Sequence, residues 1–469
     1  MSTAIVWFRR DLRLADHPAL TEALRAHDAV LPVYVHAPEE EAPWPPGSAS
    51  RWWLHHSLAA LDADLARRGA CLHRVAGPSL DALRRLVAAT GADAVYWNRL
   101  YDPATTARDA TVKQALRADG VDARSFNGAL LIEPWDLLTG GGTPYKVFTP
   151  YWRNARARLE LRPPLPAPHR IDMPPIEAGA PLKAFGLLPH IAWDAGLAAV
   201  WQPGEAGAAQ RLETFCAVAV ADYPGERDIP SLEGTTRLSP HLHFGEVSPM
   251  QVAWALLDAA RESAAAGGAE SCLRELGWRE FSQYLIHHFP HSTERNLNPR
   301  FDAFEWCDPD PASLRRWQRG RTGIPIVDAG MRELWTTGWM HNRVRMLVAS
   351  FLTKNLRVHW SHGARWFWDT LVDADLGNNT QGWQWTAGTG VDASPYFRVF
   401  NPVTQGERFD PDGTYVRRWV PELTDFPAGA IHAPWRDPVR LGASNYPVPM
   451  LDLAATRQSA LDAYGSLRG

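Results

Sequence analysis

Several side chains in the second half of the chain have the types and spacing needed to bind a flat heterocycle. Glu275, Trp278 and Arg279 lie at positions i, i+3 and i+4 of the helical pattern in residues 272–286. This spacing places a carboxylate, an indole and a guanidinium on one face of a helix. Such a face suits an exposed ion pair beside a packed tryptophan, or a pocket wall that stacks on a base and binds its polar edge.

A second helical pattern, residues 338–352, places Asn342 and Met346 one turn apart, with Arg343 and Arg345 beside them. A methionine facing inward is more often core packing than a ligand contact. An asparagine on the same stripe needs hydrogen-bond partners if it is buried. The pattern therefore leaves open a packed helix and a helix that lines a binding pocket.

Two aspartates and two tryptophans punctuate the polar run that follows. Asp373 and Asp375 lack the further oxygen ligands of a calcium loop, so we predict no metal there. They suit instead the acceptance of hydrogen bonds from N–H groups of a heterocycle or from an arginine. In "NNTQGWQWTAGTG", Trp383 and Trp385 are two positions apart and do not share a helix face. We expect their indoles to point in different directions.

Hydroxyl groups precede a predicted helix in "TTRLSPHLHFGEVSP", residues 235–249. Thr235, Thr236 and Ser239 surround Arg237, and this combination suits an anionic phosphate at a helix start. An ordinary polar N-cap explains the same residues.

Composition limits the class of protein. The 469 residues exceed the size of a single hydrophobic core, so two or three domains are expected. Four scattered cysteines without metal-ligand spacing, the lack of a signal peptide and the lack of a long apolar run predict a cytoplasmic protein that neither binds a metal nor enters a membrane. The net charge of −4 argues against binding long stretches of nucleic acid but leaves room for a local basic groove.

The sequence patterns that predict the elements positioning these side chains are of two kinds. The first 130 residues alternate four short apolar runs, "TAIVWF", "AVLPVYV", "CLHRVAG" and "DAVYWN", with helical segments. This alternation predicts a doubly wound parallel sheet with helices on both faces. A proline-dense stretch follows, and the rest has helical spacing. We predict an α/β domain in residues 1–135, a linker in 136–200 and an all-α domain in 201–469.

The ordered set of motifs "ELGWREF", "GWMHNRVRMLVASFL", "DADLGNN", "GWQW" and "PYFRVFNP", together with the opening "VWFRRDLRLADHPAL", resembles the photolyase/cryptochrome family. The likeness extends over nearly the whole chain and is greatest to bacterial cyclobutane pyrimidine dimer photolyases. It implies a Rossmann-like α/β antenna domain, a long linker and a helical domain that binds FAD. It also implies blue-light repair of DNA by electron transfer, with a cryptochrome-type light-signalling flavoprotein or a six-four photolyase as the alternatives.

The resemblance assigns roles position by position. The family positions that bind the FAD phosphates and ribitol correspond here to Tyr223, Thr235, Thr236, Arg237, Leu238, Ser239 and Arg279. The family positions beside the isoalloxazine correspond here to Arg345, Asp373, Ala374 and Asp375, and the position that faces flavin N5 corresponds to Asn379. The family positions that form the lesion pocket and its DNA-binding rim correspond here to Glu275, Trp278, Arg279, Asn342, Arg343, Met346, Trp385 and Arg398. The catalytic positions correspond to Glu275, Asn342, Met346 and Asn379. The tryptophans that re-reduce the flavin match Trp306, Trp360 and Trp383.

These roles imply a partner and a second cofactor. The partner is damaged DNA with a flipped pyrimidine dimer, bound by a monomeric enzyme. The antenna chromophore is methenyltetrahydrofolate or a deazaflavin, with another flavin or none as further options. Ala104 and Thr105 stand where one folate-binding branch carries an Asn-Glu pair.

Overall fold

The computed structural model describes residues 2–392 and 397–467, whose backbone forms two compact units. The first unit comprises Met1–Tyr145, Thr149–Ala221 and Thr236–Pro290. The second comprises Lys146–Phe148, Asp222–Thr235 and His291–Gly469. Both units are therefore built from segments that are separated along the chain.

A five-stranded, fully parallel sheet forms the centre of the first unit. Its strand order is β3-β2-β1-β4-β5, and this confirms the predicted doubly wound sheet. The strands are β1 (Thr3–Phe8), β2 (Ala29–His36), β3 (His73–Ala76), β4 (Ala94–Asn98) and β5 (Asp122–Phe126). The fifth strand was not predicted, because its sequence DARSF carries charges and only Ala123 is fully buried.

Helices make up most of the remaining chain. In chain order they are α1 (Pro18–Ala26), α2 (Ser48–Ala66), α3 (Ser79–Thr90), α4 (Pro103–Ala118), α5 (Phe148–Arg158), α6 (Ala195–Val200), α7 (Glu205–Thr214), α8 (Tyr223–Glu226), α9 (Ser239–His243), α10 (Pro249–Ala259), α11 (Ala266–His288), α12 (Pro311–Gln318), α13 (Pro325–Thr337), α14 (Asn342–Ser350), α15 (Trp360–Thr370), α16 (Leu376–Ala387), α17 (Pro402–Phe409), α18 (Thr414–Trp419), α19 (Ala428–Ile431), α20 (Pro438–Ser444) and α21 (Leu453–Ser466). A π-helical turn, Phe351–Asn355, continues α14.

Side chains alternate across the sheet and bury both of its faces. Trp7 and Trp97 contribute to a core with Leu83 of α3 and Leu116 of α4. On the other face α1 packs across β1, β2, β4 and β5. Because a strand points successive side chains to opposite faces, covering both faces explains the nearly continuous apolar runs of β1 and β2.

The proline-dense segment, residues 161–182, forms neither helix nor strand before a short 3₁₀ turn that begins at Leu182, as predicted. It lies along the first unit: Ile171 N–H donates to Arg68 O at 2.9 Å, and Ala180 N–H donates to Arg74 O at 2.7 Å. These hydrogen bonds satisfy backbone groups that an irregular segment would otherwise leave unpaired.

The C-terminal part of the chain is helical, as predicted. Within the second unit, α14, α15 and α16 contact one another or the π-helical turn. Within residues 2–392 and 397–467, every helix is too short or too polar to cross a bilayer.

Candidate functional site

In the second unit, α15 and α16 approach each other closely enough to bring the Trp383 ring against the α15 backbone. A Cβ atom placed on Gly363 would lie 2.0 Å from Cη2 of Trp383. One turn before Trp383 on α16, Asn379 donates from Nδ2 to the Ala364 carbonyl at 2.9 Å. Asn379 and Trp383 therefore share the face of α16 that meets α15.

Both of these side chains hold a polar atom without a partner. Asn379 Oδ1 and Trp383 Nε1 are buried and have no hydrogen-bond partner among the described residues. An unsatisfied buried polar group costs roughly 1–3 kcal/mol, so two on one helix face indicate a ligand that supplies partners. A flavin ring presents both N–H groups and acceptor atoms along its polar edges. The residues present therefore fit the predicted FAD.

The carboxylates before α16 are held in different ways. Asp373 forms an ion pair with Arg345, whose Nη2 lies 3.1 and 2.8 Å from the two carboxylate oxygens. Asp375 accepts a hydrogen bond from the Asn378 N–H at 2.8 Å and so caps α16. Ala374 between them is buried. Among the described residues, no His, Cys, Asp or Glu cluster of three or more is placed to hold a metal ion.

The three predicted electron-transfer tryptophans run from the interior toward solvent in the second unit. Trp383 and Trp360 are buried, whereas Trp306 is partly exposed. The His359 ring lies between the outer two, with its centroid 5.1 Å from that of Trp306 and 5.3 Å from that of Trp360. Gly363, which Trp383 touches, lies one turn after Trp360 on α15. The rings of Trp306, His359 and Trp360 therefore form one aromatic series, and Trp383 meets the α15 backbone one turn beyond Trp360.

Trp385 points away from Trp383, as predicted. Its Nε1 donates to the Asp392 carbonyl at 2.9 Å, and its ring is half-buried. It lines a pocket of about 210 Å³ together with Arg398 and Lys354. The two tryptophans of the "WQW" motif thus lie in different environments.

Near the start of α14, Asn342 is exposed and Met346 is partly exposed, one turn apart. Arg343 is fixed beside them, because its Nη2 lies 2.8 Å from Asp228 Oδ2 and its guanidinium carbon lies 4.4 Å from the Phe409 ring centroid. Nη1 of Arg343 is 4.0 Å from the Met346 sulfur. The three predicted residues therefore form one accessible patch.

Within the first unit, α11 carries the remaining predicted lesion residues. Glu275, Trp278 and Arg279 are all partly exposed. Arg279 donates from Nη1 to Ala129 O at 2.9 Å, so part of its guanidinium already binds protein carbonyl groups. No sequence motif pointed to the neighbouring Glu280, which is buried and accepts a hydrogen bond from the Leu131 N–H at 2.8 Å. Burial raises the pKa of the Glu280 carboxyl to about 7.

The predicted phosphate-binding residues divide between the units. Thr236, Arg237, Leu238 and Ser239 belong to the first unit, and Tyr223 and Thr235 to the second. Arg237 has a φ of 48°, a left-handed conformation that costs a non-glycine residue of order 1–3 kcal/mol. Such strain is concentrated at ligand-binding turns.

We expect Gly363→Ala to displace the Trp383 ring, because the added methyl group would overlap it. The near-UV circular dichroism of tryptophan should change, and retention of FAD should fall at least several-fold. Gly382→Ala on α16 is the matched control, since a Cβ there meets no atom within 4 Å. Equal behaviour of the two variants would contradict the close contact.

We expect Glu280→Gln to remove a pH dependence of stability. The folded-state pKa of about 7 lies above the usual 4.5, so the free energy of unfolding falls as pH rises through this window. From pH 4 to pH 8, the variant should gain up to about 3 kcal/mol relative to the parent. Urea unfolding at several pH values measures this, with the exposed Glu262→Gln as control. Parallel stability profiles for the parent and Glu280→Gln would rule the effect out.

Comparisons with known proteins agree with this geometry. Residues 4–169 match the family model described as DNA photolyase, and residues 272–466 match the FAD binding domain of DNA photolyase. The chain is 46% identical to a deoxyribodipyrimidine photo-lyase of Agrobacterium fabrum, over 99% of this chain and 98% of the relative. It is 41% identical to Cryptochrome-1 of Arabidopsis thaliana, over 96% of this chain and 68% of that protein.

A solved structure extends the likeness to three dimensions. The crystal structure of a bacterial class III photolyase from Agrobacterium tumefaciens superimposes with a TM-score of 0.96 at 45% identity, covering 100% of this chain and 98% of that one. Likeness of both sequence and fold over the full length leaves one conclusion. The chain belongs to the DNA photolyase family.

Proposed function

We propose that this protein splits cyclobutane pyrimidine dimers in DNA under blue light. The observation that carries the proposal is the face of α16 where Asn379 and Trp383 each present an unsatisfied buried polar atom, within the segment that matches the FAD binding domain. Bound reduced FAD, excited by light, would supply one electron to the dimer and recover it after the ring opens. The chemistry needs no nucleophile and no general base.

The protein's own residues then hold and orient the cofactor. Asn379 Oδ1 would accept a hydrogen bond at flavin N5, and the Arg345–Asp373 ion pair would fix a charged wall beside the ring. The hydroxyl groups and backbone of Thr235, Thr236, Arg237, Leu238 and Ser239 would bind the FAD phosphates and ribitol, with Tyr223 and Arg279 beside them. Ala374 and Asp375 complete the set.

The lesion would be bound outside the duplex. Enzymes that act on bases, photolyases among them, flip the target out at a cost of a few kcal/mol, which is least for damaged steps. Stacking on Trp278 and Trp385 offsets this by about 1–3 kcal/mol per base. Glu275, with its carboxyl group protonated, would donate a hydrogen bond to a carbonyl oxygen of the dimer. Arg343 and Arg398 would bind the strand through charge.

Asn342 and Met346 favour the cyclobutane dimer over six-four products. The resemblance places two histidines at these positions in six-four photolyases, where an oxygen transfer needs proton movement. Neither an amide nor a thioether titrates in this range. Splitting a cyclobutane ring requires only the electron, so non-titrating side chains suffice.

Light signalling is the second candidate, because a cryptochrome is among the relatives at 41% identity. In the family that this chain resembles, plant-type cryptochromes carry an aspartate facing flavin N5, whereas this chain has Asn379 at that position. An amide cannot offer the proton that a carboxyl group can, and this favours the anionic reduced flavin that repair requires.

Oligomeric state, location and domain boundaries belong to the same proposal. We infer a monomeric, cytoplasmic enzyme with an antenna domain in residues 1–135, a linker in 136–200 and a catalytic domain in 201–469. A second chromophore, methenyltetrahydrofolate or a deazaflavin, would transfer absorbed light energy to FAD.

Repair of defined oligonucleotides tests the function directly. Chemically reduced, FAD-loaded protein is mixed with oligonucleotides that carry one cyclobutane dimer or one six-four product, in blue light and in darkness. We expect light-dependent restoration of the cyclobutane substrate alone. Repair of the six-four product, or tight binding of the cyclobutane substrate without any repair, would overturn the assignment in favour of one of the two alternatives.

We expect Trp383→Phe to slow light-driven reduction of oxidised FAD by at least tenfold, because phenylalanine is a poorer electron donor than tryptophan at the first step of the path. Repair by enzyme that was reduced chemically beforehand should persist, since it does not use this path. Flavin absorbance under illumination with an external reductant measures the rate. Photoreduction at the parent rate would remove Trp383, and with it Trp360 and Trp306, from the path.

A further inference from the structure

Lys354 is a buried cation in the π-helical turn that continues α14. Its side chain is 1% exposed, its ammonium donates to the Ala387 carbonyl at 2.5 Å, and it lies 3.2 Å from the Phe397 ring centroid. The carbonyl of Ala387 is at the C-terminal end of α16, where the helix dipole favours positive charge. An ammonium group has three donors, and one hydrogen bond to protein leaves donors available.

Within the described residues, Lys354 forms no ion pair, and burial holds the pKa of its ammonium well below the usual value. Burying an unpaired ammonium is costly and favours the neutral amine, so an anion bound beside Lys354 would be needed to hold its positive charge. Lys354 therefore has no counter-ion among the described residues.

Lys354 is also one of the residues that line the pocket of about 210 Å³ that contains Trp385. Arg398 and the Asn298 side chain line it too, which adds a second cation and an amide. Asp392 also borders the pocket, but its carboxylate accepts a hydrogen bond from the Phe148 N–H at 3.3 Å and burial raises its pKa. The charged groups around the cavity thus favour an anion small enough for a compact space.

We propose that this pocket binds one backbone phosphate of the damaged strand next to the dimer, with Lys354 as its buried counter-ion and Arg398 at its mouth. This inference rests on the proposed function, because it assumes that Trp385 stacks on the lesion. A phosphate seated beside Trp385 fixes the register of the strand while the stacked dimer occupies the lesion pocket. Affinity for damaged DNA would then include a salt-dependent contribution from a residue inside the protein.

The alternative is that Lys354 only caps α16 and stabilises the fold. Salt dependence separates the two roles, because each neutralised phosphate contributes about −0.9 to the slope of log affinity against log salt for duplex DNA. A structural cap changes affinity without changing this slope.

The experiment compares Lys354→Gln with the parent, both loaded with FAD, binding to dimer-containing duplex in darkness from 50 to 200 mM salt. Glutamine keeps an N–H donor for Ala387 but removes the charge. We expect the slope to become shallower by about 0.9, which is about 3.5-fold in affinity across this range. Arg457→Gln, an exposed arginine on α21, is the matched control and should keep the parent slope.

A second measurement compares the parent and Lys354→Gln proteins on chemically modified DNA. Oligonucleotides with a single neutral methylphosphonate near the dimer should include one position that lowers affinity and slope in the parent and has no effect in Lys354→Gln. If no methylphosphonate position changes the parent's slope, or if Lys354→Gln keeps the full slope, the phosphate site is overturned. If the parent shows no preference for dimer-containing DNA, the proposed function itself fails instead.

Discussion

The close contact between α15 and α16 is the constraint on which the candidate site depends. Only a residue without a side chain at Gly363 lets the Trp383 ring rest on the α15 backbone. The same approach brings Asn379 within hydrogen-bonding distance of the Ala364 carbonyl. If the helices were one methyl group further apart, the amide would lose its anchor and the indole its fixed orientation. The proposed electron transfer and flavin recognition would therefore share one packing requirement.

Burial alone does not distinguish the tryptophans of the proposed electron path from those of the hydrophobic cores. Trp7, Trp52, Trp53, Trp97 and Trp317 are fully buried side chains of the two cores, and their number alone marks no electron path. Trp306 differs because it is partly exposed and a histidine ring lies between it and the buried Trp360. A path to solvent requires both contact and an exposed end.

Much of the fold follows from local patterns, and the exceptions have physical reasons. Apolar runs predicted four strands, whereas β5 escaped because its pairing with β4 depends on backbone hydrogen bonds more than on apolar side chains. The opposite directions of Trp383 and Trp385 followed from helical spacing alone. Glu280 and Lys354 were missed because a glutamate after an arginine and a lysine before an asparagine look solvated in sequence. Tertiary packing buries both, and a π-helical turn places Lys354 inward.

The interleaving of the two units has a consequence for synthesis on the ribosome. The parallel sheet is complete in sequence by residue 126, but the first unit ends only at Pro290. Glu246, which accepts hydrogen bonds from Trp53 Nε1 and the Gly204 N–H, is among the late residues. At about 5–20 residues per second, the early segments wait several seconds for these partners. During that interval the nascent chain exposes apolar surface that later segments of the first unit cover, so its dependence on chaperones should be greatest before that unit is complete.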